Sequence, residues 1–195
     1  VILRDRQYTS SKDEKRSLEI SKNCISGKVY NARWVLERAI RDHAMQIDKE
    51  RVKVASLQLK TFLQYIQNAE SKEQLRGYEG EAASIYFSVF DELILQQKKD
   101  FSFHGRSKRP PMDNVNAMLS FVYTLLTNQI TSALESVGLD PCVGYLHTER
   151  PGRASLALDL IEEFRAVYAD RFVLSLINKK IVNKKNFTKK ENGAV

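Results

Sequence analysis

Apolar residues recur at steps of three and four along most of the chain, which is the spacing of amphipathic helices. Between residues 17 and 43 the pattern predicts one long helix, in which lysines and arginines separate the apolar positions. It predicts a second helix over residues 54–69 and a third from about residue 76 to residue 97, with a break at residues 71–73. The first half of the chain is therefore expected to be helical.

Glycine, proline and basic residues interrupt the pattern between residues 101 and 111, which predicts a basic loop. Asp113 or Asn114 can then cap a fourth helix, and Gly138 ends it. This helix is apolar around most of its circumference. We therefore expect it to lie at the centre of the domain.

The last third of the chain contains a connecting loop at residues 144–153 and a further helix from about Ala154 to about residue 168. No strand-like alternation of useful length and no internal repeat is present, so the predicted fold class is all-α. We expect a helical domain over residues 1–170, followed by a lysine-rich C-terminal segment at residues 171–195, truncated or partly disordered.

Composition narrows the class of protein. The 195 residues are 43% hydrophobic and 28% charged, which is typical of a single globular domain. The net charge of +7 favours a polyanionic partner, although it also serves solubility. Cys24 and Cys142 form no close-spaced pair, which argues against a disulfide framework or a thiolate zinc site and fits a reducing cytosol. We expect no membrane span and no signal peptide, and the initial Val1 suggests a cut or processed chain.

Carboxylates and one histidine are the candidate chemistry. Glu79 lies between Gly77 and Gly80 near the predicted start of the third helix, on the same stripe as apolar residues. Small flanking residues allow a backbone or a ligand to approach closely. The alternative is that Glu79 only complements the N-terminal dipole of its helix.

Asp159 and Glu162 are three residues apart and therefore share one face of the last predicted helix. Two such carboxylates repel each other unless a cation lies between them. His147 lies in the loop before this helix, within reach of the same cation. A solvated acidic surface and a surface histidine are the alternatives. Three carboxylates and an imidazole are the ligands of a divalent-metal site that acts on phosphodiesters.

Four sequence blocks resemble the CRISPR-associated adaptation integrase family, the first CRISPR-associated protein. They are RGYEGEAA at residues 76–83; RPP at 109–111 with DNVNA at 113–117 and LSFVY at 119–123; GYLH at 144–147; and SLALDLIEEFR at 155–165. The blocks occur in the family's order. KVYN at residues 28–31 and RWVL at 33–36 look most like the subtype I-C branch.

The resemblance implies a metal-dependent DNA endonuclease and integrase of CRISPR adaptation, which inserts spacer DNA into the CRISPR array with a second CRISPR-associated adaptation protein. Family metal ligands correspond to Glu79, His147 and Glu162, and Asp159 is the adjacent essential acid, which ligates directly or through water. Oxygen ligands with one imidazole suit Mn²⁺ or Mg²⁺. A prokaryotic, cytoplasmic location follows from the family.

Basic and aromatic residues in these blocks and loops are the candidate contacts to double-stranded and branched DNA. They are Arg76, Arg106, Lys108, Arg109, Tyr145, Arg150 and Arg153. Contacts from such side chains to phosphates give affinity and register but little sequence information. Tyr123 and Tyr145 are candidates for stacking on a splayed base, and ordinary packing is the alternative, favoured for Tyr123.

The chain departs from the family at its ends. Nothing resembles the N-terminal β-rich domain through which members form a homodimer, so the catalytic helical domain alone is expected. Two alternatives remain open on the residues: a non-catalytic helical DNA-binding module, and a helical protein-interaction domain. Only the integrase hypothesis requires Glu79, His147 and Glu162 to meet.

Overall fold

Seven α-helices and three shorter helical segments form the regular structure of the protein, as given by a computed structural model that describes residues 2–147, 150–189 and 194–195. The α-helices are α1 (Ile2–Lys12), α2 (Glu14–His43), α3 (Lys49–Gln67), α4 (Lys72–Ser88), α5 (Asn114–Ser136), α6 (Ser155–Phe164) and α7 (Arg171–Asn178). Two 3₁₀ turns (Phe90–Leu93 and Lys184–Asn186) and a π-helical segment (Arg165–Asp170) complete the set. These residues contain no strand, so the predicted all-α class is confirmed.

The long helix α2 runs through the middle of the core. Ile25 and Leu36 are fully buried, and the helix packs against α3, α4 and α6. Asp13 caps its start by accepting a hydrogen bond from the backbone N–H of Arg16. At Gly27 a Cβ atom would lie 2.8 Å from Cγ of Glu163, so glycine allows α2 and α6 to cross closely. The prediction of one long helix is confirmed.

Helix starts differ from the sequence prediction in three places. The first helix, α1, was not predicted, because its apolar face is short and interrupted by charges. Helix α3 begins at Lys49, where Asp48 caps it, and α4 begins at Lys72, where Ser71 caps it. The predicted break at residues 71–73 is therefore wrong: a capping serine followed by polar residues is the first turn of the helix.

Helix α5 is not enclosed at the centre of the domain, so that prediction is wrong. Its cap, Asp113, and its end at Gly138, with φ +83°, are as predicted. Val115 and Leu119 are buried, but Phe121 is 65% and Leu125 is 48% exposed. In the described chain, only one side of α5 contacts other helices. Apolar side chains on the opposite side of α5 are exposed to solvent.

The chain is helical from α6 through the π-helical segment to α7 without an intervening loop. Val173 and Ile177 of α7 are fully buried in the main core. The first part of the basic segment at residues 171–195 is therefore packed against the helical domain. No helix in the described part of the chain is long and apolar enough to cross a membrane.

Candidate active site

Four donors surround the carboxylate of Asp159 on α6. The backbone N–H groups of Tyr145, Leu146 and His147 donate to it at 2.6, 3.1 and 2.9 Å, and Nδ1 of His147 lies 2.7 Å from Oδ1. Asp159 is 1% exposed. The carboxylate therefore fixes both the loop and the orientation of the His147 ring, whose Nε2 is left to face a ligand.

A glycine is required just before residues 145–147, the turn of the loop that surrounds the carboxylate of Asp159. A Cβ atom at Gly144 would lie 2.7 Å from Cβ of Ser155 and 3.0 Å from Oδ2 of Asp159. Arg76 of α4 holds the other end of the turn, since its Nη2 donates to the carbonyl of Leu146 at 2.6 Å. Arg76 was predicted to bind DNA, and in the structure it positions the histidine loop.

Glu79 and Glu162 meet at one cation, the ammonium group of Lys28. Nζ of Lys28 on α2 contacts Oε1 of Glu79 on α4 and lies 2.7 Å from Oε2 of Glu162 on α6. Oε1 of Glu162 is 3.1 Å from a guanidinium nitrogen of Arg165. Three helices thus bring two carboxylates together around a positive charge.

The electrostatic surroundings keep Glu162 ionised. Burial raises the pKa of this carboxyl, but the nearby charges of Lys28 and Arg165, with a smaller effect of His147, hold the pKa below its usual range. Oε2 is buried and lies 2.7 Å from the ammonium group of Lys28, a contact that also lowers the pKa. An ionised carboxylate oxygen that pairs with one ammonium group can pair with another cation in its place.

Glu79 of this carboxylate pair lines a cleft of about 910 Å³ in which basic residues predominate. Among the residues that the structure describes, the lining contains two acidic side chains, Glu79 and Asp91, and six lysines and arginines, namely Lys28, Arg51, Arg106, Lys108, Arg109 and Arg165. Burial, followed by the charges of Arg165, Arg106 and Lys28, lowers the pKa of Lys108. A cleft that concentrates positive charge in this way favours a polyanion.

The predicted basic loop forms one wall of the cleft, and its shape depends on Asn116 of α5. Asn116 is fully buried; its Oδ1 accepts hydrogen bonds from Arg106 and from the backbone of Ser107, and its Nδ2 donates to the carbonyl of Gly105. Arg106 also donates to Ser120. All three basic side chains of this loop line the cleft, but the guanidinium group of Arg106 is bound internally, whereas Lys108 and Arg109 are exposed.

The remaining predicted DNA contacts are less well placed. Tyr145 packs in a small second core, and burial raises the pKa of its hydroxyl. Arg150 is exposed beside a separate hollow that contains Tyr8 and Asp140. Arg153 is half-buried, and its backbone N–H donates to the carbonyl of Arg150. None of these three side chains lines the basic cleft.

Tyr123 is half-buried at the wall of the basic cleft, and its contacts agree with the packing alternative. Two guanidinium groups lie over its ring, Arg106 at 5.3 Å and Arg165 at 5.0 Å from the centroid. Its hydroxyl donates to Oδ1 of Asp170 at 2.6 Å. This unit joins the basic loop to the helix that carries Glu162.

Two site residues were not found from the sequence. Lys28 appeared only within a sequence block, although a lysine beside the buried stripe of Ile25 and Val29 is a signal for an internal ion pair. Arg165 likewise stands only at the end of a sequence block, although its position three residues after Glu162 allows the observed ion pair. The glycines beside Glu79 have no packing role, since a Cβ atom at Gly77 or Gly80 would meet nothing within 4 Å.

The predicted ligands have suitable chemistry for a divalent cation but are not gathered around one point. Among the described residues, no three His, Cys, Asp or Glu side chains form a set that could hold a metal ion. Glu79 and Glu162 instead share Lys28, while His147 contacts Asp159, one turn before Glu162. Two carboxylates that already share one cation and an imidazole nitrogen nevertheless fit Mn²⁺ or Mg²⁺.

Comparison with known proteins shows what the whole chain is similar to. Residues 1–195 match the family model described as CRISPR associated protein Cas1. A CRISPR-associated endonuclease Cas1 from Chlorobaculum tepidum is 50% identical over the whole chain, which covers 57% of that relative. One from Leptospira interrogans is 47% identical over 97% of this chain and 74% of its own length.

Solved structures show the same fold. A casposase bound to an integration product superposes with a TM-score of 0.81 at 31% identity, over 97% of this chain and 50% of that one. A CAS1 protein from Thermotoga maritima gives a TM-score of 0.80 at 28% identity, over 96% of this chain and 56% of that one. A Cas6-RT-Cas1–Cas2 complex gives 0.82 at 25% identity, over 95% of this chain and 19% of that one. The chain thus spans little more than half the length of several proteins it matches.

Proposed function

The chain belongs to the Cas1 family of CRISPR-associated proteins, and we propose that it is the helical catalytic domain of a metal-dependent DNA endonuclease and integrase that inserts spacer DNA into a CRISPR array. The observation that carries this proposal is the meeting of Glu79 and Glu162 beside a basic cleft, next to the His147–Asp159 pair. Neither a passive DNA-binding module nor an interaction domain requires that arrangement. The subtype I-C assignment is part of the proposal and rests on residues 28–36.

Glu79, His147 through Nε2, and Glu162 would hold the cation, and Asp159 would keep the His147 ring in place. Bound Mn²⁺ or Mg²⁺ supplies a Lewis acid that polarises the scissile phosphate and stabilises charge on the leaving oxygen. Lys108 and Arg109 in the cleft wall bind the flanking phosphates. Attack by a DNA 3′-hydroxyl gives integration, and attack by water gives cleavage.

The expected partners are double-stranded and branched DNA, a second copy of the full-length protein, and the second adaptation protein. Two solved structures of similar proteins support the first and last of these: a casposase bound to an integration product and a complex that contains both Cas1 and Cas2. A prokaryotic cytoplasmic location belongs to the same proposal. Since the chain spans part of its relatives, these properties concern the intact protein.

Substitution of Glu79 by alanine in the intact protein tests the proposal. Glu79→Ala removes one proposed ligand, so Mn²⁺-dependent cleavage of branched DNA should fall about a hundredfold or more. DNA affinity, which depends on the basic cleft, should change by less than about threefold. Cleavage rates and DNA affinity at fixed salt are measured side by side.

Glu81→Ala is the matched control, because Glu81 lies two residues further along α4 and is exposed. It should retain both cleavage and binding. Full Mn²⁺-dependent cleavage by Glu79→Ala would show that the site has been assigned wrongly.

A further inference from the structure

Lys28 takes a position between the two carboxylates that are proposed to bind the metal. Its Nζ contacts Oε1 of Glu79 and lies 2.7 Å from Oε2 of Glu162. The side chains of Lys28 and Glu162 are 13% and 5% exposed, so little solvent screens the contacts. An ammonium group here supplies the charge that the carboxylate pair requires.

Without a cation, this part of the site would carry unbalanced negative charge. Glu162 is buried on α6, and Glu79 faces it from α4. Arg165 neutralises one side of Glu162 through Oε1. The other side, Oε2, has only Lys28, and removal of a buried partner from an ionised carboxylate is costly. Lys28 is therefore the group that keeps Glu79 and Glu162 together.

The contact with Glu162 is nevertheless easily exchanged for another. The contact of Nζ with Oε2 of Glu162 is an ion pair, whose strength depends mainly on charge and distance, so another cation can replace the ammonium group. The lysine side chain is long and flexible, and Lys28 also lines the basic cleft. Its ammonium group can therefore move from the carboxylates toward the cleft without a change in α2.

We propose that Lys28 is an internal counter-ion of the metal site. It holds Glu79 and Glu162 in place in the metal-free protein, and a divalent cation binds by displacing its ammonium group into the cleft. The inference deepens the proposed function and rests on it. It adds that metal affinity is set partly by competition from a side chain of the protein itself.

The test is Mn²⁺ titration by calorimetry of the parent chain and of Lys28→Met, at one pH and one salt concentration. Methionine keeps the length of the side chain but removes the competing charge. Lys28→Met should bind Mn²⁺ about fivefold tighter or more. Lys22→Met is the control, because Lys22 lies on the same helix and donates to the carbonyl of Gln67, with no carboxylate involved; its affinity should equal that of the parent.

A second substitution guards against misfolding. Lys28→Arg keeps the positive charge and should bind Mn²⁺ no more tightly than the parent. If Lys28→Met does not fold, Lys28→Gln takes its place and should also bind Mn²⁺ about fivefold tighter or more than the parent. Binding by Lys28→Met that equals or is weaker than that of the parent overturns the inference while the metal site stands. Binding by Lys28→Met alone, with none by the parent, supports it strongly. Binding by neither protein refutes both the inference and the proposed metal site.

Discussion

Asp159 shows how one residue sets the geometry of a site without contacting the reacting atoms. Its two carboxylate oxygens accept from three consecutive backbone N–H groups and contact the His147 ring. A carboxylate with four such contacts has few lone pairs left for a metal ion, which favours a positioning role over direct metal ligation. Glu162, whose Oε2 pairs with the ammonium group of a flexible lysine, is the better ligand on the same helix.

Replacement of Asp159 by asparagine should separate positioning from folding. The amide nitrogen would face backbone donors, so stability should fall by about 1–3 kcal/mol, and Mn²⁺ affinity should fall about tenfold or more as the His147 ring loses its orientation. Urea unfolding and calorimetry measure the two effects. Glu163→Gln, on the same helix but packed against Gly27, is the control. Unchanged Mn²⁺ affinity in Asp159→Asn would contradict the positioning role.

At this scale the sequence predicts some contacts and not others, for a physical reason. Asp159 and Glu162 are neighbours through local helix geometry, and their proximity follows from spacing alone. Lys28 and Glu79 are joined only because α2 and α4 pack together, and no local pattern specifies which lysine of α2 faces that way. Tyr123 is similar, since its position between two arginines depends on how the basic loop folds back over α5.

Among the elements, α4 carries two glycines that weaken it without a packing reason. Gly77 and Gly80 are both exposed in the helix interior, and a Cβ atom at either position would meet no neighbour within 4 Å. Glycine in a helix interior costs about 0.5–1 kcal/mol relative to alanine. Gly80 lines the basic cleft beside Glu79, whereas Gly77 does not. The structure therefore favours a role for the open space at Gly80 in approach of DNA.

Alanine substitutions at Gly77 and Gly80 test whether DNA approaches the helix at Gly80. Gly77→Ala and Gly80→Ala should each stabilise the domain by about 0.5–1 kcal/mol in urea unfolding, because both relieve the same cost of helix formation. In the intact protein only Gly80→Ala should slow cleavage of branched DNA, by about tenfold or more, since a methyl group would stand where DNA approaches. Equal cleavage rates for the two variants would mean that DNA does not approach this turn.

The sequence predicts helix ends where a residue can only be a cap, and it fails where a capping residue also fits a loop. Asp113 and Gly138 bound α5 as expected, because each supplies a specific terminal interaction. The polar residues from Ser71 onward predict a break between two helices, whereas Ser71 is the N-cap of α4. The exposed side of α5 could not be predicted, because an apolar helix surface does not reveal whether another helix of the same chain covers it.

For the whole molecule, one buried unit connects the basic loop to the proposed metal site. Asp170 is 1% exposed and accepts the hydroxyl hydrogen bond of Tyr123, whose ring lies between Arg106 and Arg165. Arg165 in turn contacts Glu162. Burial raises the pKa of Asp170 to about 6, although the Tyr123 hydrogen bond lowers it. The charge state of this carboxyl therefore affects the stability of the entire fold.

Asp170 should make the domain less stable as pH rises through about 6. The unfolded state releases this proton near the ordinary aspartate pKa of 3.8, whereas the folded state keeps it up to about pH 6. The folded state thus binds more protons in that window, and the stabilisation is fully present only below the unfolded pKa. Asp170→Asn cannot titrate and still accepts from Tyr123. Relative to it, the parent should lose about 2 kcal/mol of unfolding free energy between about pH 4.5 and 7, measured by urea unfolding.

Asp140 is the control for this measurement, because folding lowers its pKa, whereas folding raises the pKa of Asp170. The hydroxyl of Tyr8, with the backbone N–H of Cys142, lowers the pKa of this half-buried carboxyl, so its contribution is lost as pH falls rather than as it rises. Asp140→Asn should therefore leave the loss of stability between about pH 4.5 and 7 in place, whereas Asp170→Asn should remove it. If Asp170→Asn shows the same pH slope as the parent, the buried carboxyl is ionised across the whole range, and the charges of Arg106 and Arg165 outweigh its burial.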